Sequence, residues 1–167
     1  MKKIIFTLTI AIFAGLVLTS CSKDVPPGSA TKTFDLNFSD ILVAAGGSGT
    51  TGTQTLELKT ILPDDYKNVT SAELQYASSY IEITGLPSGA SLKSLTIIAN
   101  GKEYLLGDYY NDEKLSGNKE LTYMSEIASM LATSKTVSVS LRFTNGGTVP
   151  ITSGVEVKLH FTTTFRW

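Results

Sequence analysis

Cysteine, histidine and tryptophan each occur once in these 167 residues, as Cys21, His160 and Trp167. One cysteine excludes a disulfide within the chain, so a folded domain has to be held by its hydrophobic core. One histidine cannot by itself form a zinc site, and it makes no triad without a positioned nucleophile and an orienting acid. The 14 basic and 15 acidic side chains include no basic run with interleaved aromatics, which sets nucleic acid aside as a partner. No P-loop, nucleophile elbow or dinucleotide fingerprint occurs either. Gly46 to Gly52 is rich in glycine but has no phosphate-gripping lysine and no strand-to-helix setting.

What is present begins at the amino terminus. Lys2 and Lys3 precede an uncharged, largely apolar stretch from Ile4 to Leu18. That stretch suits the core of a signal peptide and falls short of the ~20 residues that span a bilayer. It runs into Leu18-Thr19-Ser20-Cys21. The segment resembles the lipobox of bacterial lipoproteins, whose type II signal peptide is cut directly before a cysteine that carries acyl chains. The resemblance covers residues 1–21 only. It implies removal of residues 1–20, lipid attachment at Cys21 and a membrane partner through that lipid. Each buried CH₂ contributes about 0.8 kcal/mol, so several chains would make attachment long-lived. Because Ser22 and Lys23 intervene before Asp24, the resemblance further implies the outer membrane of a cell envelope, with either leaflet open.

Residues 21–33 contain Pro26, Pro27 and Gly28 with serine, threonine and lysine, and read as a flexible tether. Residues 34–167 form one domain, long enough for a core of its own. Losing Lys2 and Lys3 leaves 12 basic against 15 acidic side chains, a formal net charge of about −3.

The domain alternates in polarity nearly throughout. Phe34, Leu36 and Phe38 share one face of a strand, and a change of parity at Ile41 and Val43 implies a bulge or bend near Asp40. The Gly-Ser-Thr stretch from Ala44 to Thr53 reads as a mobile or surface-laid loop, after which Leu56 and Leu58 resume a strand that Pro63 ends. Ala72 to Ile83 is one bent strand or two short ones. Asn100-Gly101 predicts a two-residue type I′ hairpin with Ala99 opposite Lys102, Ile97 opposite Tyr104 and Leu95 opposite Leu106. Leu121, Met124, Ile127, Ala128 and Leu131 form the stripe of a helix of about ten residues, with Thr122 as N-cap and Glu126 near its positive end. Val137 to Phe143 and Val155 to Trp167 are the clearest strands. His160 falls on the polar face of the last one, beside Glu156 and Lys158.

Seven or eight short strands, frequent turns and one helix specify a mainly β fold. The expected architecture is an antiparallel β-sandwich, immunoglobulin-like in general shape, with one short crossover helix. Candidate ligand-contacting residues lie in one segment, where Tyr104, Tyr109 and Tyr110 accompany Asp108 and Asp112. Tyrosine faces stack on sugar rings, and oxygen-rich loops hold Ca²⁺, although these acids lack EF-hand spacing. No catalytic residue, cofactor or metal site is assigned, and the chain is not read as an enzyme. The expected role is that of an outer-membrane-anchored lipoprotein with non-catalytic binding or assembly work and a protein or glycan partner at the cell envelope. A surface carbohydrate-binding module and a fibre or adhesin subunit are the alternatives.

Overall fold

The alternation that runs to the carboxyl end becomes the strand around which one sheet assembles. The computed structural model describes residues 28–39, 41–152 and 154–167. In chain order the strands are β1 (Ser29–Phe38), β2 (Ser48–Thr50), β3 (Gln54–Glu57), β4 (Ser71–Leu74), β5 (Tyr80–Thr84), β6 (Leu92–Ala99), β7 (Lys102–Tyr109), β8 (Glu113–Leu115), β9 (Thr136–Asn145) and β10 (Glu156–Arg166). The helices are a single turn, α1 (Leu58–Ile61), and the main helix α2 (Asn118–Ser134). Two antiparallel sheets pack as a sandwich, so the expected fold class is the observed one. Among the described residues ten strands are formed rather than seven or eight, the additional ones being short.

In the first sheet β10 is paired on both sides. β1 lies along it from Ser29 opposite Arg166 to Phe38 opposite Val157. On the other side β4 and β5 follow each other against the two halves of β10, and β8 extends the sheet beyond β5. Tyr76–Ser78 make the 3₁₀ turn between β4 and β5. Val157, Leu159, Phe161 and Phe165 point inward and are buried, and Phe34 of β1 stacks on Phe161 at 5.1 Å between ring centroids. Ser29 to Thr33, expected to belong to a tether, pair with β10 as the first half of β1. Their β-branched threonines suit a strand and meet β10 through hydroxyls, Thr31 with Thr164 at 2.8 Å and Thr33 with Thr162 at 3.3 Å.

The second sheet has the order β2, β9, β6, β7, with β3 also on β9. The Gly-Ser-Thr segment expected to be a loop contributes β2. The free edge of β9 needs partners for its backbone groups, and Ser48, Gly49 and Thr50 supply them opposite Thr144, Phe143 and Arg142. β3 stops at Glu57. Leu58, expected in that strand, instead begins α1 with its side chain fully buried. The Asn100-Gly101 hairpin forms with positive φ at both residues and places Ala99 opposite Lys102 and Ile97 opposite Tyr104. The third expected pair is not made. Leu95 lies opposite Gly107, because β7 carries an extra residue at Leu106, and a second bulge on β6 at Ser94, whose φ is 51°, restores the register by Leu92 opposite Tyr109.

α2 joins the first sheet to the second and packs beside β4 and β9. Its 17 residues exceed the ten expected, since the first turn begins at Asn118 with Gly117 as N-cap. Thr122 therefore lies inside the helix, where its hydroxyl donates to Asn118 O at 2.6 Å. Glu120, not Glu126, occupies the first turn. The expected stripe is buried as a block, and the helix ends on Lys135 in the left-handed region at φ 67°, with Nζ donating to Ala132 O at 2.6 Å. Asp40, where a bulge was expected, lies outside the described residues, as does Cys21. Among the described residues no helix is long and apolar enough to cross a membrane.

Candidate functional site

The five candidate residues do not converge on one surface. Tyr104 points into the sandwich at 3 % exposure, with its hydroxyl donating to Glu126 Oε2 at 3.1 Å and its ring against Tyr123. Burial, then the Glu126 hydrogen bond, raises its phenol, while Glu126 is held below the usual carboxylate range first by Lys102 and then by Tyr104. Tyr109 is also in the core at 7 % exposure. Its phenol is pushed up to about 12, chiefly by burial and then by Glu120, Glu113 and Asp108. Asp108 accepts the Ser94 N–H at 2.8 Å and so fixes the bulge in β6. Asp112 accepts the Leu86 N–H at 2.8 Å and ties the turn after β7 to the loop after β5. Tyr110 alone of the three tyrosines is exposed, at 57 %. Among the described residues no group of three or more metal-ligating side chains comes together.

His160 is on the outer face of the first sheet, as its parity required, but it is engaged rather than free. Its Nδ1 lies 2.5 Å from Asp35 Oδ1, and its ring stacks on Tyr80 at 4.6 Å. Lys114, from β8, places Nζ 3.6 Å from the Tyr80 centroid. A row of four side chains thus crosses four strands, and the Tyr80 ring is covered from both neighbouring strands. It is a self-satisfied face, legible only once the strand register is known.

Three exposed apolar side chains, Leu42, Tyr110 and Val149, lie on loops at one end of the sandwich. The loops after β1, β5, β7 and β9 all open at the end of the sandwich where β10 begins. Asn145, a fully buried polar residue missed in the sequence, knits the loops after β1, β5 and β9 together. Its Oδ1 accepts from Ser91 N at 3.2 Å and Gly147 N at 3.0 Å, and its Nδ2 donates to Val149 O at 2.8 Å. Its backbone bonds Gly46 and Gly47, and Val43 exchanges two 2.9 Å bonds with Ile151. On this frame stand Leu42, 60 % exposed, and Val149, 37 % exposed. A shallow hollow of about 440 Å³ lies between Leu42, Val43, Ala44, Pro150, Ile151 and Thr152. A second cleft, about 460 Å³, runs beside α2 from Asn100 to Ser125, Ser129 and Thr133.

The opposite end is where the chain enters. Gly28 and Trp167 exchange backbone hydrogen bonds of 2.8 and 3.0 Å, and the loop from α1 to β4 joins them through Thr70 N–H on Arg166 O at 2.8 Å. The sandwich therefore has an entry pole and a loop pole, separated by the length of β10. Comparison with protein-family models, with curated proteins and with solved structures found no match.

Proposed function

We propose that this chain is an outer-membrane-anchored lipoprotein with a non-catalytic binding or assembly role, and that the loop pole is its contact surface. One observation carries the reading: the chain enters the sandwich at Gly28, seven residues after Cys21, and the loop pole lies at the other end. The 11 residues of β10 separate the two ends by about 35 Å at ~3.3 Å per residue. A domain moored through Cys21 would thus turn Leu42, Val149 and Tyr110 away from its own bilayer. Exposed apolar groups on a hydrogen-bonded frame suit a protein partner, because their geometry is set before binding and little ordering entropy is lost.

The test has two parts. Palmitate labelling and membrane fractionation should show a lipidated protein, and Cys21→Ala should abolish both. In intact cells a photo-crosslinking residue at Leu42 or Val149 should capture a neighbour that one at Thr31, on the outer face of β1, does not. Unlabelled protein, or equal capture at the three positions, would refute the proposal.

The carbohydrate-binding alternative rests on Tyr110, the one candidate tyrosine with an open ring face, and a glycan array without a hit would remove it. The fibre alternative draws on β1, an edge strand of ten residues. Against ready edge pairing stands Lys32, an exposed charge on the core-facing parity of that strand.

A further inference from the structure

We infer that the entry pole is a lipid-contacting surface, with the Trp167 indole seated in the headgroup layer; this rests on the anchoring reading above. Trp167 is fixed where the chain from Cys21 arrives. Its backbone is bonded to Gly28 in both directions, and its ring lies so close over Gly28 that a Cβ there would come 2.5 Å from Nε1. The seven residues from Cys21 to Gly28 reach about 25 Å at most, even fully extended at ~3.6 Å each. That is shorter than β10, so an acylated Cys21 holds this pole near the bilayer.

The side chains at this pole match that position. Trp167 is half-buried, with an apolar ring and one polar N–H, the combination that settles at a membrane interface. Tyr66, also half-buried, has Lys67 Nζ 5.8 Å from its ring centroid, and Arg166 lies alongside. Each has an apolar body and a polar tip. Because Glu73 pairs with Arg166 at 2.7 Å, the contact is built on the indole rather than on attraction to anionic lipid.

Trp167 is the only tryptophan in the chain, so its emission reports this place alone. The lipidated protein, extracted from membranes, is reconstituted into phosphatidylcholine vesicles with spin-labelled acyl chains. A label just below the headgroup should quench Trp167 several-fold more strongly than one at the chain end. The double variant Trp167→Phe with Tyr110→Trp moves the reporter to the loop pole and should escape quenching. In a second arm, residues 21–167 are coupled through the Cys21 thiol to a maleimide lipid, where the same quenching is expected whatever the cell attaches to that residue. An unquenched Trp167 in the coupled chain, or equal quenching of the two reporters, overturns the inference. Native protein without palmitate overturns the anchoring reading, and the inference with it, through a separate measurement.

Discussion

Removing the Asn145 carboxamide should loosen the whole loop pole while leaving both sheets intact. Asn145 is fully buried and makes three side-chain hydrogen bonds to backbone groups of two loops. In Asn145→Ala the Ser91 N–H loses its acceptor in a buried setting, which costs about 1–2 kcal/mol. Gly147 N–H and Val149 O lie nearer the surface and regain water, so each loss is about 0.5 kcal/mol. The expected destabilisation is about 2–3 kcal/mol, or roughly 8 °C in Tm for a domain of this size. Asn145→Leu fills the space but makes none of the three bonds, and it should lose at least as much. Thermal and urea unfolding followed by circular dichroism measure the change. Hydrogen exchange should accelerate at Ser91 and Gly147 but not at Leu159 in the middle of β10. A loss under about 0.5 kcal/mol in both variants would refute the argument, since it is within the range of ordinary surface substitutions.

Gly85 has φ +75°, and a Cβ there would fall 1.9 Å from Gly154 O, so Gly85→Ala should cost about 3 kcal/mol in chemical denaturation. Gly52→Ala, with open space around it, should stay within about 0.5 kcal/mol in the same assay. Phe161→Ala empties a fully buried site and removes the stack with Phe34, an expected loss of about 3–5 kcal/mol by urea titration. The phenol of Tyr109 is raised to about 12 in the fold from an ordinary value of 10.0. The unfolded chain releases that proton first, so the stability linked to it is complete below pH 10 and is lost as pH rises toward 12. Ultraviolet titration should show Tyr109 among the last tyrosines to ionise, and its ionisation should coincide with unfolding.

Where one period dominated, the sequence was readable residue by residue. β9 and β10 alternate without interruption, and Asn100-Gly101 prescribes a turn that sets two of the three facing pairs. The third failed because β7 carries an extra residue at Leu106, offset by a bulge at Ser94 that the Asp108 carboxylate holds from the next strand, and no local pattern encodes either. The β7 irregularity, with Gly107 at φ 140°, also turns Tyr109 inward. Tyr104 could have been recognised as core, since the expected hairpin already set it opposite Ile97. β2 was missed because Ser48 to Thr50 carry no apolar signal and are held by the needs of β9. Asn145 stands in the sequence at the head of an Asn-Gly-Gly run, and its burial follows from three loops bonding to it, which is a tertiary fact. The end of α2 was displaced because Gly117 and Asn118 are weak helix signals that packing against β4 overrides.

The pairing of β1 with β10 bears on how the chain acquires its shape. Thr31 and Thr164, hydroxyl to hydroxyl, are separated by 133 positions. A nascent polypeptide emerging amino end first would hold Phe34, Leu36 and Phe38 without their partner until β10 had been synthesised. β4 and β5 wait for the same strand. Such distant closure predicts slow acquisition of structure, on the millisecond-to-second scale of non-local β topologies. A chain halted before residue 156 would expose three orphaned strands at once, making interruption just ahead of β10 the point of greatest aggregation risk.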